Sequence, residues 1–341
     1  MVLSQGVLVK SIAPPAWVGY LGQKQQKRKR ALARAYVCPG QGAQKIGMGQ
    51  ALSVAYPEAK IVFQEVDDAL NENLSGLIWE GDLNELTLTE NAQPALMATS
   101  LAAFRALQSE GLGLDGVDYV AGHSLGEYSA LAIAGALSVA DTARLLRKRG
   151  QAMQSAVPVG VGAMAAILGL DFAAVAKLAT EAAQGDICQA ANDNDPGQVV
   201  VSGHVGAVER AITLAKEAGA KRALLLPVSA PFHCDLMAPA AAEMAQALST
   251  VAITAPKVPL VCNVKAEAVS APEQIRELLF QQITASVRWR ESVQWMVEQQ
   301  VSEIWEIGAG KALTGMVRRI DRAVACRNIA TPDDISAAIN T

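Results

Sequence analysis

Histidine is scarce in this chain: three residues in 341, His123, His204 and His233. Any reaction that needs an imidazole has only these to draw on. Cysteine is nearly as sparse, with five residues, Cys38, Cys188, Cys234, Cys262 and Cys326, and no Cys-x-x-Cys pair. Neither a zinc site nor a disulfide framework is therefore expected. No apolar run approaches the roughly 20 residues of a membrane helix, and a net charge of -4 offers no overall attraction to nucleic acid. Neither a membrane nor a nucleic acid is expected as a partner. The phosphate-loop pattern Gly-x-x-x-x-Gly-Lys-Ser/Thr is missing too, which argues against a Walker nucleotide site. No metal and no cofactor is called for. Aromatic residues are 4% and charged residues 18% against 51% apolar, the balance of an Ala-rich α/β protein with one large core and a smaller neighbour.

Acidic residues are absent before Glu58, while residues 1–34 carry seven cations, Lys10, Lys24, Lys27, Arg28, Lys29, Arg30 and Arg34. Residues 1–33 are expected to be a disordered basic extension; an organelle transit peptide and a nucleic-acid-binding arm are the alternatives. Order is expected from a short strand at 34–38 that runs into the Gly-rich loop 39–44. Helices follow at 48–56, 57–70, 74–79 and 95–108, then a strand at 117–121 and a helix at 125–137. Ser138 and Asp141 open another helix, to about 156, that carries Arg144, Arg147, Lys148 and Arg149. By itself such a cluster reads as a solvated helix face. From 162 to 228 the order is βαββαβ, the split βαβ of ferredoxin-like units, with strands at 162–168, 187–191, 198–202 and 222–228. It is expected to be a small domain, 161–228, inserted into a large one formed by 34–160 and 229–341. The remainder returns to α/β: strands at 258–264, 303–307 and 324–329 and helices at 272–283, 290–299, 312–320 and 332–339.

Chemistry is concentrated at 119–130. Gly122, Ser124 and Gly126 form a Gly-x-Ser-x-Gly elbow between a buried strand and an Ala- and Leu-rich helix. A turn this sharp projects the Ser124 hydroxyl away from the sheet and aims the Leu125 N–H at whatever the serine attacks. Of the histidines, His123 is trapped in the elbow, His204 starts a small-domain helix and reads as a surface residue, and His233 lies in a Pro-rich loop. His233 is the better general base. No Asp or Glu between serine and histidine stands out as a third member.

The blocks Gly-Gln-Gly-Ala-Gln at 40–44, Gln-Pro-Ala-Leu at 93–96, 122–128, Arg149-Gly150, 192–197, Pro-Phe-His at 231–233, Gln282 and 306–311 resemble malonyl-CoA:acyl carrier protein transacylases, in order and spacing, over about residues 34–340. The resemblance implies an α/β fold with a hydrolase-like parallel-sheet domain, a Ser nucleophile elbow and an inserted ferredoxin-like small domain. It implies Ser124 as the residue that becomes malonylated, His233 as its acid/base partner, and the N–H groups of Gln41 and Leu125 as the oxyanion hole. It gives Arg149 the malonyl carboxylate, Gln282 the orienting of His233 through its backbone carbonyl, and Gln93, His123, Met153, Phe232 and Asn263 the pocket lining. Ala43 stands where many members have Ser, and Phe232 where some have Ser, in keeping with malonyl rather than bulkier groups. The implied partners are malonyl-CoA and an acyl carrier protein with its phosphopantetheine arm, the implied setting fatty acid synthesis in the cytoplasm, the implied state a monomer. Lys311, Arg318, Arg319 and Arg322 are candidates to receive an acidic carrier protein, or an ordinary solvated helix. Alternatives are an acyltransferase of a polyketide synthase, a serine esterase and a non-catalytic carrier-binding scaffold.

Overall fold

The computed structural model describes residues 33–228 and 230–340. The basic extension lies outside the described residues, Ala33 and Arg34 apart. Strands β1 (Ala33–Cys38), β2 (Val117–Gly122), β3 (Gly162–Leu168), β4 (Cys188–Asp195), β5 (Gln198–His204), β6 (Arg222–Leu225), β7 (Leu260–Val261), β8 (Ala268–Val269), β9 (Val301–Ile307) and β10 (Ala325–Ile329) form two sheets. The larger runs β10-β9-β1-β2-β7-β8, parallel except for the β7–β8 pair. Its central strand β1 is apolar on both faces, as a strand covered by helices on each side must be. Helices Gln50–Ala55, Pro57–Leu70, Leu74–Glu80, Leu83–Thr87, Thr89–Ser109, Gly126–Ile133, Val139–Ser155, Ala238–Thr250, Pro272–Gln281, Trp289–Glu298, Ala312–Ile320 and Pro332–Ile339 accompany this sheet. The chain leaves β1 toward β2 on one side and returns to β9 on the other. The crevice beyond the carboxyl ends of these strands is where such sheets bind ligands.

The smaller sheet is antiparallel, ordered β4-β5-β3-β6, with helices Phe172–Ala183 and Val205–Glu217 between its strands. This is the ferredoxin-like order, and the fold is the hydrolase-like α/β sheet with an inserted ferredoxin-like unit. Its apolar cluster includes Ile167, Val175, Val199 and Val208. β4 ties it to the rest of the chain. Asp193, fully buried, is held by Arg290 through Nε–Oδ1 at 3.0 Å and Nη2–Oδ2 at 2.8 Å, Asp195 by Arg319 Nε at 2.6 Å, and the Asp193 N–H donates to the Val287 carbonyl at 2.9 Å.

Several expectations need correction. The long helix begins at Thr89 rather than 95 and carries Pro94 inside it. Proline leaves the Glu90 carbonyl without its helical donor, and Arg147 Nη1 supplies one at 2.7 Å. Arg147 is therefore buried, not part of a solvated face. β4 runs on to Asp195 where the Asn-Asp-Pro-Gly tract predicts a loop, because Arg290 and Arg319 satisfy the two carboxylates. β7 is two residues long, not seven, since Pro259 has no N–H and Asn263 turns its N–H to Glu127. His204 is half-buried, with Nδ1 accepting from the Ile187 N–H at 2.9 Å, rather than a free surface residue. Helix Ala238–Thr250 occupies a stretch for which the sequence predicts no element.

Candidate active site

The elbow is dictated locally. At the end of β2, Ser124 has φ 53°, a left-handed conformation that β-carbon-bearing residues avoid and that surrounding structure must enforce. Gly126 makes the turn possible: a β-carbon there would stand 2.3 Å from the Cys38 carbonyl oxygen, so only glycine lets the elbow helix lie on the end of β1. Gly40 does the same for the facing loop, where a β-carbon would meet the His123 carbonyl oxygen at 2.8 Å. The 39–44 loop is thereby pressed against the nucleophile. Among the described residues no protein acceptor lies on the N–H of Gln41 or of Leu125. Both residues line the cleft.

Ser124 Oγ lies 2.7 Å from His233 Nε2. His233 itself has φ 59°, a second enforced left-handed residue. Its Nδ1 lies 2.9 Å from the Gln282 carbonyl oxygen. A carbonyl can only accept, so Nδ1 carries the proton and Nε2 presents its lone pair to the serine hydroxyl. Burial, reinforced by the Arg149 charge, holds His233 at about 3, far below an ordinary imidazole. At neutral pH it is a free base.

Arg149 is 1% exposed. Its Nη1 donates to Gln93 Oε1 at 2.7 Å, and its Nη2 to Gln282 Oε1 at 2.9 Å and to Ser124 Oγ at 3.1 Å. Every one of these acceptors is neutral. Burial pulls the guanidinium below its ordinary value; an arginine side chain keeps its charge in proteins. The result is a water-excluded cation beside a nucleophile, with no carboxylate in contact. A substrate anion would complete it.

The other residues marked by the resemblance converge on the same place. Met153 Sδ accepts from Gln93 Nε2 at 3.9 Å, Asn263 Oδ1 accepts from the Ser124 N–H at 2.8 Å, and His123 Nε2 donates to Asn194 Oδ1 at 2.8 Å. Phe232 lines the cleft, a space of about 530 Å³ bounded by Met164, Val200 and Met316 on the far wall. Asn263 and Gln282 are fully buried behind the serine rather than on the cleft surface. Glu306, buried, accepts from the N–H groups of Leu313 and Thr314 at 3.1 and 2.8 Å and so fixes the start of the helix that forms one lip. Of the four candidate docking cations, Lys311, Arg318 and Arg322 stand exposed, while Arg319 is spent on Asp195. Cys234 is buried with its thiol on the Pro231 carbonyl. Among the described residues no three His, Cys, Asp or Glu side chains gather as metal ligands, and no helix is long and apolar enough to cross a membrane.

Two further site residues are not singled out by the sequence reading. Thr89 donates to Gln41 Oε1 at 2.8 Å and accepts from Gln93 Nε2 at 3.0 Å, joining the Gly-rich loop to the arginine. Glu127, 1% exposed, accepts from Gln282 Nε2 at 2.7 Å. It stands in the elbow block itself, in the order serine, acid, histidine, which is the signal that would have found it.

Comparison with known proteins gives the family. Residues 35–324 match the acyl transferase domain family. A malonyl CoA-acyl carrier protein transacylase of Bacillus subtilis (strain 168) is 46% identical over 308 residues, 90% of this chain and 96% of its own. The crystal structure of an acyl-carrier-protein-S-malonyltransferase from Bartonella henselae superposes with a TM-score of 0.89 at 52% identity, covering 91% of this chain and 99% of that one. A malonyl-transacylase solved in complex with a type II polyketide synthase acyl-carrier protein gives a TM-score of 0.88 at 42% identity, covering 90% of this chain and 99% of its own. By family, by relatives along nearly its whole described length and by fold, the chain belongs to the malonyl-CoA:acyl carrier protein transacylases.

Proposed function

We propose that the protein moves the malonyl group of malonyl-CoA to the phosphopantetheine thiol of an acyl carrier protein, through a malonyl ester on Ser124, to supply fatty acid synthesis. The observation that carries the reading is Arg149, a buried guanidinium 3.1 Å from the nucleophile whose hydrogen-bond acceptors, among the described residues, are all neutral oxygens. A bidentate pair with the malonyl carboxylate satisfies that charge and sets the thioester carbon against Ser124 Oγ.

In the first half-reaction Ser124 Oγ attacks the thioester carbonyl while His233 Nε2 takes the hydroxyl proton. The N–H groups of Gln41 and Leu125 receive the oxyanion, free for it because no acceptor among the described residues occupies them. Collapse breaks the C–S bond, and the imidazolium returns the proton to the departing sulfur. The pantetheine thiol then gives its proton to His233 and attacks the ester; collapse breaks the acyl C–O bond, and the imidazolium returns the proton to Ser124 Oγ. In this reading 34–160 and 229–341 are the large domain that carries the machinery. The small domain, 161–228, covers the acyl pocket, with Met164, Ala166 and Val200 toward it. A monomer acting in the cytoplasm suffices, since every group invoked comes from one chain.

The test is incubation with malonyl-, methylmalonyl- and acetyl-CoA followed by intact-mass measurement. A malonyl adduct on Ser124 is expected, lost in Ser124→Ala; an adduct that survives the substitution refutes the assignment. The relative solved with a polyketide synthase carrier favours one second reading, delivery to a polyketide carrier protein. Transfer rates to fatty acid and polyketide carriers, compared side by side, separate the two.

A further inference from the structure

We propose that Glu127 is the positioning residue of this site, the acid of a serine-histidine-acid set displaced by one residue, acting on His233 through Gln282 and on Ser124 through Asn263. It rests on the reading of Ser124 and His233 as nucleophile and base.

All the reacting groups hang from this carboxyl at one remove. Glu127 Oε2 accepts from Gln282 Nε2 at 2.7 Å and from the Asn263 N–H at 3.1 Å. Gln282 in turn offers its backbone carbonyl to His233 Nδ1, its Oε1 to Arg149 and its Nε2 also to the Ser124 carbonyl, at 2.9, 2.9 and 3.0 Å. Asn263 receives the Ser124 N–H on Oδ1 and gives Nδ2 to the Gly122 carbonyl at 2.7 Å. An amide has two ends of similar shape, and the neighbours decide which points where. With Oε2 as an acceptor, Gln282 must turn its NH2 to Glu127 and its oxygen to Arg149. The flipped amide would set oxygen against oxygen and N–H against N–H.

Glu127 stands there against its own solvation. It is 1% exposed and Oε1 has no hydrogen-bond partner among the described residues. Burial pushes the carboxyl up to about 7, although the bonds from Gln282 and Asn263 and the Arg149 charge pull the other way. A hydrocarbon of equal size would fill the space without that penalty. What it would not do is accept from two amides at once.

Glu127→Asp keeps the charge and withdraws the oxygens by about 1.5 Å, one carbon-carbon bond. Glu127→Gln keeps an oxygen in place and drops the charge. Single-turnover acylation by malonyl-CoA is expected to slow about 30-fold in the Asp variant, the loss of one charge-assisted hydrogen bond. KM should move less than about threefold, because the change falls on orientation and not on binding. The Nδ1 proton resonance of His233 should shift with it, and Gln at 127 should recover most of the rate. An Asp variant at full rate, or a folded Gln variant as slow as Asp, overturns the proposal. Thermal melting reports folding; should Asp not fold, Glu127→Met, of similar length without an acceptor, takes its place with the same expectation. Unlabelled Ser124 in the parent enzyme would instead refute the underlying dyad reading.

Discussion

Replacing Arg149 by Ala separates recognition of the acyl group from its chemistry. Arg149 is the one Lys or Arg lining the cleft among the described residues, and it is 1% exposed. Removing one partner of a buried, hydrogen-bonded charge pair costs about 3–5 kcal/mol, which is roughly two to four powers of ten in malonyl-CoA acylation. Acetyl-CoA has no carboxylate to lose. It forfeits only the Nη2 bond to Ser124 Oγ at 3.1 Å, worth about 1.5 kcal/mol or tenfold. The malonyl-to-acetyl ratio should therefore fall about ten- to a thousandfold, even as both rates decline. Lys at 149 should restore part of the malonyl rate, since a point charge cannot reproduce the planar fork. The assay is single-turnover acylation with each thioester at subsaturating concentration, read by intact mass. An unchanged ratio in a folded Ala variant would refute the argument, because a guanidinium that reads the carboxylate cannot be removed without cost to that substrate alone.

Two further outcomes follow from the same geometry. His233 is held neutral by burial down to about 3; its folded value lies below its unfolded one, so the free base that acylation needs is present throughout pH 5 to 8, and in Glu127→Gln, which removes the one carboxyl of the site that burial pushes up to about 7, a kcat/KM profile with an inflection near 6.5 would contradict the buried state of His233. Gly126→Ala would drive a β-carbon into the Cys38 carbonyl at 2.3 Å, and a loss of at least about 2 kcal/mol in urea unfolding is expected, with an unshifted midpoint showing that the elbow does not need glycine.

What the sequence reveals is what is local. The elbow is legible because a left-handed serine needs glycine two residues away on its crowded side, a constraint met within five residues. Helices Pro57–Leu70, Phe172–Ala183 and Ala312–Ile320 are legible because periodicity and end signals lie inside each segment. Arg149 is different. In composition it is one of four neighbouring cations, and only the packing of helix Val139–Ser155 on helix Thr89–Ser109 turns it inward while Arg144 stays out. That information is not in the segment; it came through resemblance. Pro94 and the Asn-Asp tract mislead for the same reason, since Arg147, Arg290 and Arg319 repair from a distance what the local rules forbid. Glu127 escapes because a search for a third member looks for an acid that can touch His233, and this one touches Gln282 instead.

That displacement explains how a buried carboxyl and a buried guanidinium share one site without pairing. A carboxylate in contact with Arg149 would satisfy the guanidinium and leave nothing for the substrate to do; one amide of Gln282 keeps Glu127 near enough to balance the field and too far to occupy it. Gln93→Glu tests this directly. Gln93 Oε1 already receives Arg149 Nη1 at 2.7 Å, so Glu of the same length would place an anion on the guanidinium. The variant is expected to gain stability, by about 1 kcal/mol or a rise of about 2 °C in the melting midpoint. It should lose malonyl-CoA acylation about 100-fold, because the substrate must now displace a resident carboxylate and bring its own past a like charge. Acetyl-CoA acylation should change far less. A more stable Glu variant with full malonyl activity would mean that the carboxylate is read somewhere other than Arg149.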